Sequence, residues 1–204
     1  KKIGNFAFYK CTSLEKITIP SSVTSIGNSA FGECFSLKQI SIPSSVTSIG
    51  EYAFFGCMSL KQITIPNSVI EIGKGAFEVC TLLGYIPFPS SVTSIKSSTF
   101  SGCSSLSEIS VPSFITKIED YAFCNCSRLK RISLPCSVIS IGKGAFKWCL
   151  KLTQISIPSS VISIGSFAFN ECSSLEQVTI SSSVNSIEEK TFLNCSKLNK
   201  IFIP

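Results

Sequence analysis

Apolar and polar positions follow one pattern that repeats every 23 residues along this chain, without an insertion or a deletion. Four residue types mark the period, and each returns at the same spacing after its first position at Phe8, Cys11, Leu14 and Pro20. Ser181 fills the one gap in the proline series. A fixed period of about 20 to 50 residues indicates an array of stacked units, because one such unit is too small to bury its apolar face alone.

The period divides the chain into a partial unit, residues 1–20, followed by eight complete units. The complete units are residues 21–43, 44–66, 67–89, 90–112, 113–135, 136–158, 159–181 and 182–204. We predict that residues 1–204 form a single solenoid domain. A solenoid needs terminal units with a polar outer face, and neither terminal unit has one. We therefore expect the chain to be a fragment of a longer protein.

Two local periods coexist in each unit. Ile17 and Ile19 alternate with polar neighbours, which predicts a half-buried strand, and Pro20 closes that strand because proline cannot donate to the ladder. The next apolar positions have a spacing that places them on one face of a short helical or 3₁₀ turn. In the first complete unit these positions are Ile26, Ala30, Phe31 and Cys34. Each unit is thus predicted to be a strand plus a helical turn.

The run Leu14-x-x-Ile17-x-Ile19 is similar to the strand signature of leucine-rich repeats. The whole unit, read as Ile-Pro-Ser-Ser-Val-Thr-Ser-Ile-Gly-x-x-Ala-Phe-x-x-Cys-x-Ser-Leu, closely resembles the BspA-like subclass over all 204 residues. One column departs from the general pattern: serine stands where leucine-rich repeats carry an asparagine ladder, as at Ser45 and Ser68, and Phe114 replaces it once.

This resemblance implies an α/β fold, a curved leucine-rich-repeat solenoid with parallel β-strands on the concave face and short helical or 3₁₀ turns on the convex face. It also implies a cell-surface or secreted protein that adheres to host cells or to the extracellular matrix. We accordingly predict a non-catalytic interaction module whose ligand is a protein or a glycan on one of those surfaces.

Composition removes several classes of function. The chain has no histidine, which excludes Ser/His/Asp and Cys/His nucleophile systems and metal sites built on imidazole. We predict no enzymatic activity, no cofactor and no metal site. Nucleic acid is a poor fit because the chain lacks interleaved aromatic stacking positions. No apolar run approaches the roughly 18 residues of a membrane span, so we expect no membrane insertion by this segment.

Candidate ligand contacts come from the outward columns of the predicted strand, which are mostly hydroxyl and amide side chains. Tyr85 and Arg131 are the variable members of one column, and Pro87 lies within a strand, where it must lose a ladder hydrogen bond. The segment from residue 128 to residue 151 has six basic residues and no acid. We predict that Arg128, Lys130, Arg131 and Lys151 form a basic patch for an acidic surface. The alternative is an ordinary solvated face.

Nine of the eleven cysteines share one repeat column, which predicts packing as small apolar groups rather than disulfide bonds or metal ligation. Cys124 and Cys136 are the two off-register thiols. We expect both to be free, with Cys124 on an outward column and the more reactive.

Several aromatic residues lie outside the core columns, and they predict self-association through an apolar patch as an alternative to the uncapped ends. They are Phe35, Tyr52, Phe55, Tyr121, Trp148 and Phe167. An alternative function also remains open: an intracellular scaffold that recruits signalling partners in the cytoplasm. Unpaired cysteines favour it, because exposed thiols are uncommon in oxidising compartments.

Overall fold

The computed structural model describes residues 1–203, which form a stack of nine coils, one for each repeat. We number the coils 1 to 9, so that coil 1 is residues 1–20 and coil 9 begins at residue 182. Each coil has three sides: a strand of up to three residues, a strand of two residues, and a segment of consecutive turns between them. We call these the long-strand face, the short-strand face and the turn face. The predicted solenoid of parallel strands is confirmed.

The long-strand face contains the strand that the alternation of isoleucines predicts. Its strands are Lys16–Thr18, Gln39–Ser41, Tyr85–Pro87, Glu108–Ser110, Gln154–Ser156, Gln177–Thr179 and Lys200–Phe202. Neighbours pair in parallel with a shift of one repeat, as Ile17 pairs with Ile40 and Ile155 with Val178. Single bridges add coils 3 and 6, through Ser41 with Thr64 and Ser110 with Ser133.

A second set of strands forms the short-strand face, which the sequence pattern did not predict. These strands are Lys2–Ile3, Ser25–Ile26, Ser48–Ile49, Glu71–Ile72, Ser94–Ile95, Lys117–Ile118, Ser140–Ile141 and Ser163–Ile164. Ile26, which the spacing assigned to the helical turn, pairs instead with Ile3 and Ile49 in parallel ladders.

The predicted helical or 3₁₀ turn does not form, since residues 1–203 contain no helix. On the turn face two residues of each coil have φ between 50° and 75°, as do Phe167 and Glu171 in coil 8. Alternate amides have different partners: the N–H of Phe169 donates to the carbonyl of Thr191 in the next coil, whereas that of Asn170 donates to Phe167. A helix would satisfy all of these amides internally, so the consecutive turns give a segment that bonds to its neighbours along the stack.

The core is a column of stacked phenylalanine rings that runs from Phe8 to Phe192. Neighbouring ring centroids lie 5.1–5.8 Å apart, with interplanar angles of 2–13°. The rings of coils 2 to 8 are fully buried. Offset stacks of this kind add a direct aromatic attraction to the burial of apolar surface. Each coil therefore contributes one ring to a core that continues along the whole molecule.

Two side-chain ladders run beside the rings. Eight column cysteines donate their S–H to the carbonyl of the phenylalanine 26 residues earlier, with S···O distances of 3.1–3.3 Å. Six serines of the column that contains Ser45 donate to a carbonyl 22 residues earlier, at 2.5–2.8 Å. The serines thus bond across coils in the column where the leucine-rich pattern carries asparagine. Phe114 interrupts this series and is 62% exposed.

Pro87 affects only one side of its strand. The strand Tyr85–Pro87 pairs along its full length with Glu108–Ser110, but it meets the preceding coil only through the single bridge between Gln62 and Tyr85. The N–H of Gln177, which occupies the position of Tyr85, donates to Thr153 in the preceding coil, and the residue two positions later in a strand faces the same side. Since proline has no N–H, the expected loss of a ladder hydrogen bond falls on the side of coil 3.

The phenylalanine column generates a stability prediction. Phe100 lies fully buried between Phe77 and Phe123, at ring distances of 5.8 and 5.5 Å. We expect Phe100→Ala to lower the free energy of unfolding by about 3–5 kcal/mol, through lost apolar burial and the cavity that remains. Urea unfolding followed by circular dichroism measures this change.

Phe114→Ser, in the coil that follows that of Phe100, is the matched control for Phe100→Ala. It removes an exposed ring and restores the hydroxyl of the serine column, opposite the carbonyl of Val92. We expect it to leave the stability unchanged or to raise it by about 1 kcal/mol, the net value of one hydrogen bond. A near-neutral Phe100→Ala would mean that the ring column is not the core.

Candidate interaction site

The candidate residues lie on one border of the long-strand face. We call the two residues that follow the core cysteine of each coil the corner residues. We define the leading edge as the outward-facing positions from these corner residues to the first residue of the long strand. In coil 6 the leading edge comprises Ser127, Arg128, Lys130 and Arg131. Backbone bonds join the edge from coil to coil, as the N–H of Ser59 donates to the carbonyl of Phe35 at 3.2 Å and that of Leu82 to Met58 at 3.3 Å.

The structure brings the four predicted basic residues together on this edge. Arg128, Lys130 and Arg131 belong to coil 6 and Lys151 to coil 7, where the N–H of Thr153 donates to the carbonyl of Lys130. All four side chains are exposed, and none takes part in the four ion pairs found in residues 1–203. The other two basic residues of the segment, Lys143 and Lys147, lie on the turn face and do not belong to this group.

Three depressions on the long-strand face are lined by Arg131. Within residues 1–203 neither a paired strand nor a bridge joins Arg131–Ser133 to Gln154–Ser156, although both segments pair on their other sides. A depression of about 570 Å³ lies across this interruption. Arg131 also lines two depressions of about 380 Å³, one shared with Glu108 and Lys130 and the other with Glu176 and Lys200. A ligand at Arg131 would therefore meet both cationic side chains and a recessed surface.

Another depression, of about 750 Å³, lies along the short-strand face. A column of glycines produces this furrow by letting coils approach closely: a Cβ added to Gly73 would stand 2.4 Å from the amide nitrogen of Glu51. Its charged residues have both signs, with Lys74 and Lys96 beside Glu71 and Glu119. The furrow is a consequence of backbone packing, and it lacks the excess of positive charge found at Arg128, Lys130, Arg131 and Lys151.

Tyr85 is 54% exposed on the leading edge of coil 4, two coils away from Arg131. The exposed Phe35, Met58 and Leu82 lie on the same edge of coils 2 to 4, so Tyr85 belongs to a part of the edge that is separate from the basic residues. Sequence reasoning overlooked Met58 and Leu82. A comparison between repeats reveals both residues, because most repeats carry serine or threonine in these two corner columns, where Met58 and Leu82 are apolar.

The expected outward position of Cys124 is not observed. This residue is 8% exposed on the turn face, and burial raises the pKa of its thiol, while the nearby ammonium of Lys147 lowers it in part. Cys136 is the exposed off-register thiol, and it lines the largest depression at Arg131. Burial and a raised pKa both disfavour reaction, because the thiolate is the reactive form.

The cysteine column behaves as predicted except at its first member. Eight of its cysteines are buried and unpaired, whereas Cys11 in coil 1 is exposed. Burial raises the pKa of the Cys34 and Cys195 thiols to about 11 and that of Cys103 to about 12. These groups therefore stay protonated at neutral pH, as S–H donation to a carbonyl requires.

The six aromatic residues considered for self-association differ in exposure. Trp148 is 43% and Phe35 37% exposed, whereas Tyr52, Phe55, Tyr121 and Phe167 are half-buried. The ammonium of Lys147 lies 4.2 Å from the ring centroid of Trp148, a cation–π contact that occupies one face of the indole. Self-association through these residues stays a prediction.

Residues 1–203 contain no group of three or more Cys, Asp or Glu side chains arranged to hold a metal ion. They also contain no helix long and apolar enough to cross a membrane.

The family profile described as the BspA type leucine-rich repeat region matches residues 1–130 and 116–204. The chain therefore belongs to the BspA-type leucine-rich repeat family. Solenoids of this kind are typically non-catalytic scaffolds for protein interaction. No curated protein sequence matches the chain.

Solved structures agree with this assignment. A leucine-rich repeat protein from Bacteroides ovatus is 38% identical, with a TM-score of 0.92 over 98% of this chain and 52% of its own. A leucine-rich cell surface protein from Faecalibacterium prausnitzii is 32% identical, with a TM-score of 0.68 over 98% of this chain and 62% of its own. The pneumococcal vaccine antigen PcpA, at 24% identity and a TM-score of 0.64, covers 98% of this chain and 59% of its own and shares the fold. The chain spans about half the length of the Bacteroides protein.

Thiol exposure generates a labelling prediction. With native protein at pH 8, we expect an aqueous maleimide to modify Cys11 and Cys136 rapidly, because these two thiols are exposed. Cys124 and the eight buried column cysteines should react only after denaturation. Peptide mapping by mass spectrometry identifies the modified sites, and Cys136→Ser, which restores the serine common in that column, is the control. Rapid labelling of Cys124 in the native protein would contradict the burial described above.

Proposed function

We propose that this chain is the interaction module of a cell-surface protein and binds a protein or glycan on host cells or in the extracellular matrix. The leading edge is the proposed binding surface, with Arg128, Lys130, Arg131 and Lys151 as ligand contacts. The ligand is held by many shallow contacts along the stack rather than in a closed pocket.

One observation carries this proposal: four exposed basic side chains converge on adjacent coils and have no ion-pair partner within residues 1–203. A cluster of basic side chains attracts an oppositely charged ligand, and the four basic residues outnumber Glu108 and Glu176, the two acids that line the depressions at Arg131. The depressions around Arg131 add shape to this charge.

Support for the surface location comes from a relative, since the Faecalibacterium prausnitzii protein is described as a cell surface protein. The rival candidate is a cytoplasmic leucine-rich-repeat scaffold for signalling partners. It has its own observation, the eleven unpaired cysteines, because reducing compartments keep thiols free. Eight of these thiols are explained by burial and S–H donation in the core, and Cys124 is also buried, which leaves the exposed Cys11 and Cys136 as the support for the rival.

Location separates the two candidates. We expect antibodies raised against this module to stain intact source cells, because the proposed ligand lies outside the cell. Staining is compared between intact and permeabilised cells, with a cytoplasmic protein as the control for membrane integrity. Staining that requires permeabilisation would contradict the adhesion proposal and favour the scaffold.

The contact residues are tested by charge reversal. We expect Arg131→Glu combined with Lys151→Glu to weaken the binding of the purified module to host cells or matrix by at least about tenfold, since two attractive charges become repulsive. Flow cytometry or surface plasmon resonance measures the affinity, and thermal melting checks that the variant folds. Lys74→Glu combined with Lys143→Glu on the turn face, which changes the net charge by the same amount, is the control. Unchanged affinity of the edge variant would remove these residues from the binding surface.

A further inference from the structure

The repeat provides an internal reference for the leading edge, because the same corner positions recur in every coil. The second corner column reads serine in coils 1, 2, 3, 5 and 8, at Ser13, Ser36, Ser59, Ser105 and Ser174. It departs from serine at Leu82 in coil 4, at Arg128 and Lys151 in coils 6 and 7, and at Lys197. Departures of two chemical kinds therefore occupy different parts of one edge.

The first group is apolar and lies on coils 2 to 4. We define the apolar patch as Phe35, Met58, Leu82 and Tyr85, which are 37%, 41%, 47% and 54% exposed. The hydrogen bonds from Ser59 to Phe35 and from Leu82 to Met58 place the corner members on successive coils. Large exposed apolar side chains that cluster in this way mark a contact surface, whereas scattered ones do not.

The second group is the basic cluster of coils 6 and 7, Arg128, Lys130, Arg131 and Lys151. Coil 5 separates the two groups with small polar corner residues, Ser104 and Ser105, and with one acid, Glu108. The basic part also carries one exposed apolar side chain, Leu150. Along the solenoid axis the corner positions thus change from apolar to polar to mainly cationic, while the exposed Lys38 and Lys61 place further positive charge on the edge of coils 2 and 3.

We propose that the leading edge binds an extended polypeptide segment whose apolar side chains face the apolar patch and whose acidic side chains face the basic cluster. This inference rests on the proposed function and specifies its ligand. The edge from coil 2 to coil 7 spans five steps of about 4.8 Å each, and an extended chain advances about 3.3 Å per residue. A segment of about seven or eight residues therefore covers it.

The arrangement favours a polypeptide over two other anionic partners. A sulfated glycan offers charge at regular intervals but nothing for Phe35, Met58 and Leu82. A membrane surface offers apolar and anionic groups together at every point, whereas the corner positions place their apolar side chains mainly on coils 2 to 4 and their basic side chains on coils 6 and 7. A peptide is the partner that supplies the two chemistries in a fixed order.

Two synthetic probes test the order directly. Both are fluorescent peptides of about ten residues with equal numbers of leucine, phenylalanine and aspartate; in one the apolar and acidic residues form separate blocks, and in the other they alternate. We expect the block peptide to bind the intact module about tenfold more tightly in fluorescence anisotropy, because it alone matches both groups at once. Equal affinities would overturn the inference.

Variants that restore the repeat's own residue test the two groups. We expect Leu82→Ser and Arg128→Ser each to weaken block-peptide binding about five- to tenfold. Of the two, only Arg128→Ser should reduce the salt dependence of that binding, because it removes a charge. The matched controls remove similar groups away from the edge: Ile70→Thr, an exposed side chain in a threonine column, and Lys74→Ser on the turn face. If the controls weaken binding as much as the edge variants, the site is wrong.

The same proteins are tested for binding to host cells and to heparin, which separates the possible failures. Block-peptide binding lost in Leu82→Ser and Arg128→Ser supports the inference. If the module binds cells through Arg131 and Lys151 but does not bind the block peptide, the inference fails and the proposed function remains. Heparin binding without peptide binding assigns a glycan and overturns the peptide. If nothing binds, both proposals fail.

Discussion

Each coil depends on its neighbours for the partners of its own polar groups. Half of the turn-face amides donate to the next coil, and the column thiols and serine hydroxyls donate to the preceding one. The phenylalanine rings are covered in the same way, by the rings above and below. An isolated coil would leave these amides without protein partners and its ring exposed. Stability therefore accumulates through contacts between neighbours, as in other solenoids.

That dependence explains why the surface follows columns. Because every coil repeats the same geometry, one position gives a row of side chains parallel to the axis. Most outward rows carry hydroxyl or amide groups, and the chain changes its chemistry by replacing single members, as at Leu82 and Arg128. These replacements cost the fold little, because the backbone partners of the row remain in place. The chemistry of the outward rows can thus change at single residues without a change in the fold.

The period, the phenylalanine column and the long strands could be predicted from the sequence, because alternation at Ile17 and Ile19 and the returning rings have one simple interpretation. The turn face could not. Ile26, Ala30 and Phe31 have helical spacing, but residues such as Phe167 and Trp148 adopt positive φ, a conformation that their side chains disfavour and that no propensity indicates. Contacts between coils compensate for this cost.

The same limit explains the results at the candidate site. The four basic residues could be grouped from the repeat alone, since the period gives their neighbours directly. Cys124 was assigned to the surface because a helix would have turned it outward, whereas the consecutive turns bury it. Met58 and Leu82 were overlooked because apolar residues were sought as aromatic outliers, and only comparison within their own columns reveals them.

Because every complete coil has 23 residues, the distances between coils along the solenoid axis are fixed. Two groups on one edge are separated by a whole number of coils, so their distance changes only in steps of about 4.8 Å. Loss or gain of a single residue would shift every later column out of alignment, whereas loss or gain of 23 residues would leave the core intact. Duplication or deletion of one repeat between Tyr85 and Arg128 would therefore adjust the spacing between the apolar patch and the basic cluster without altering either group.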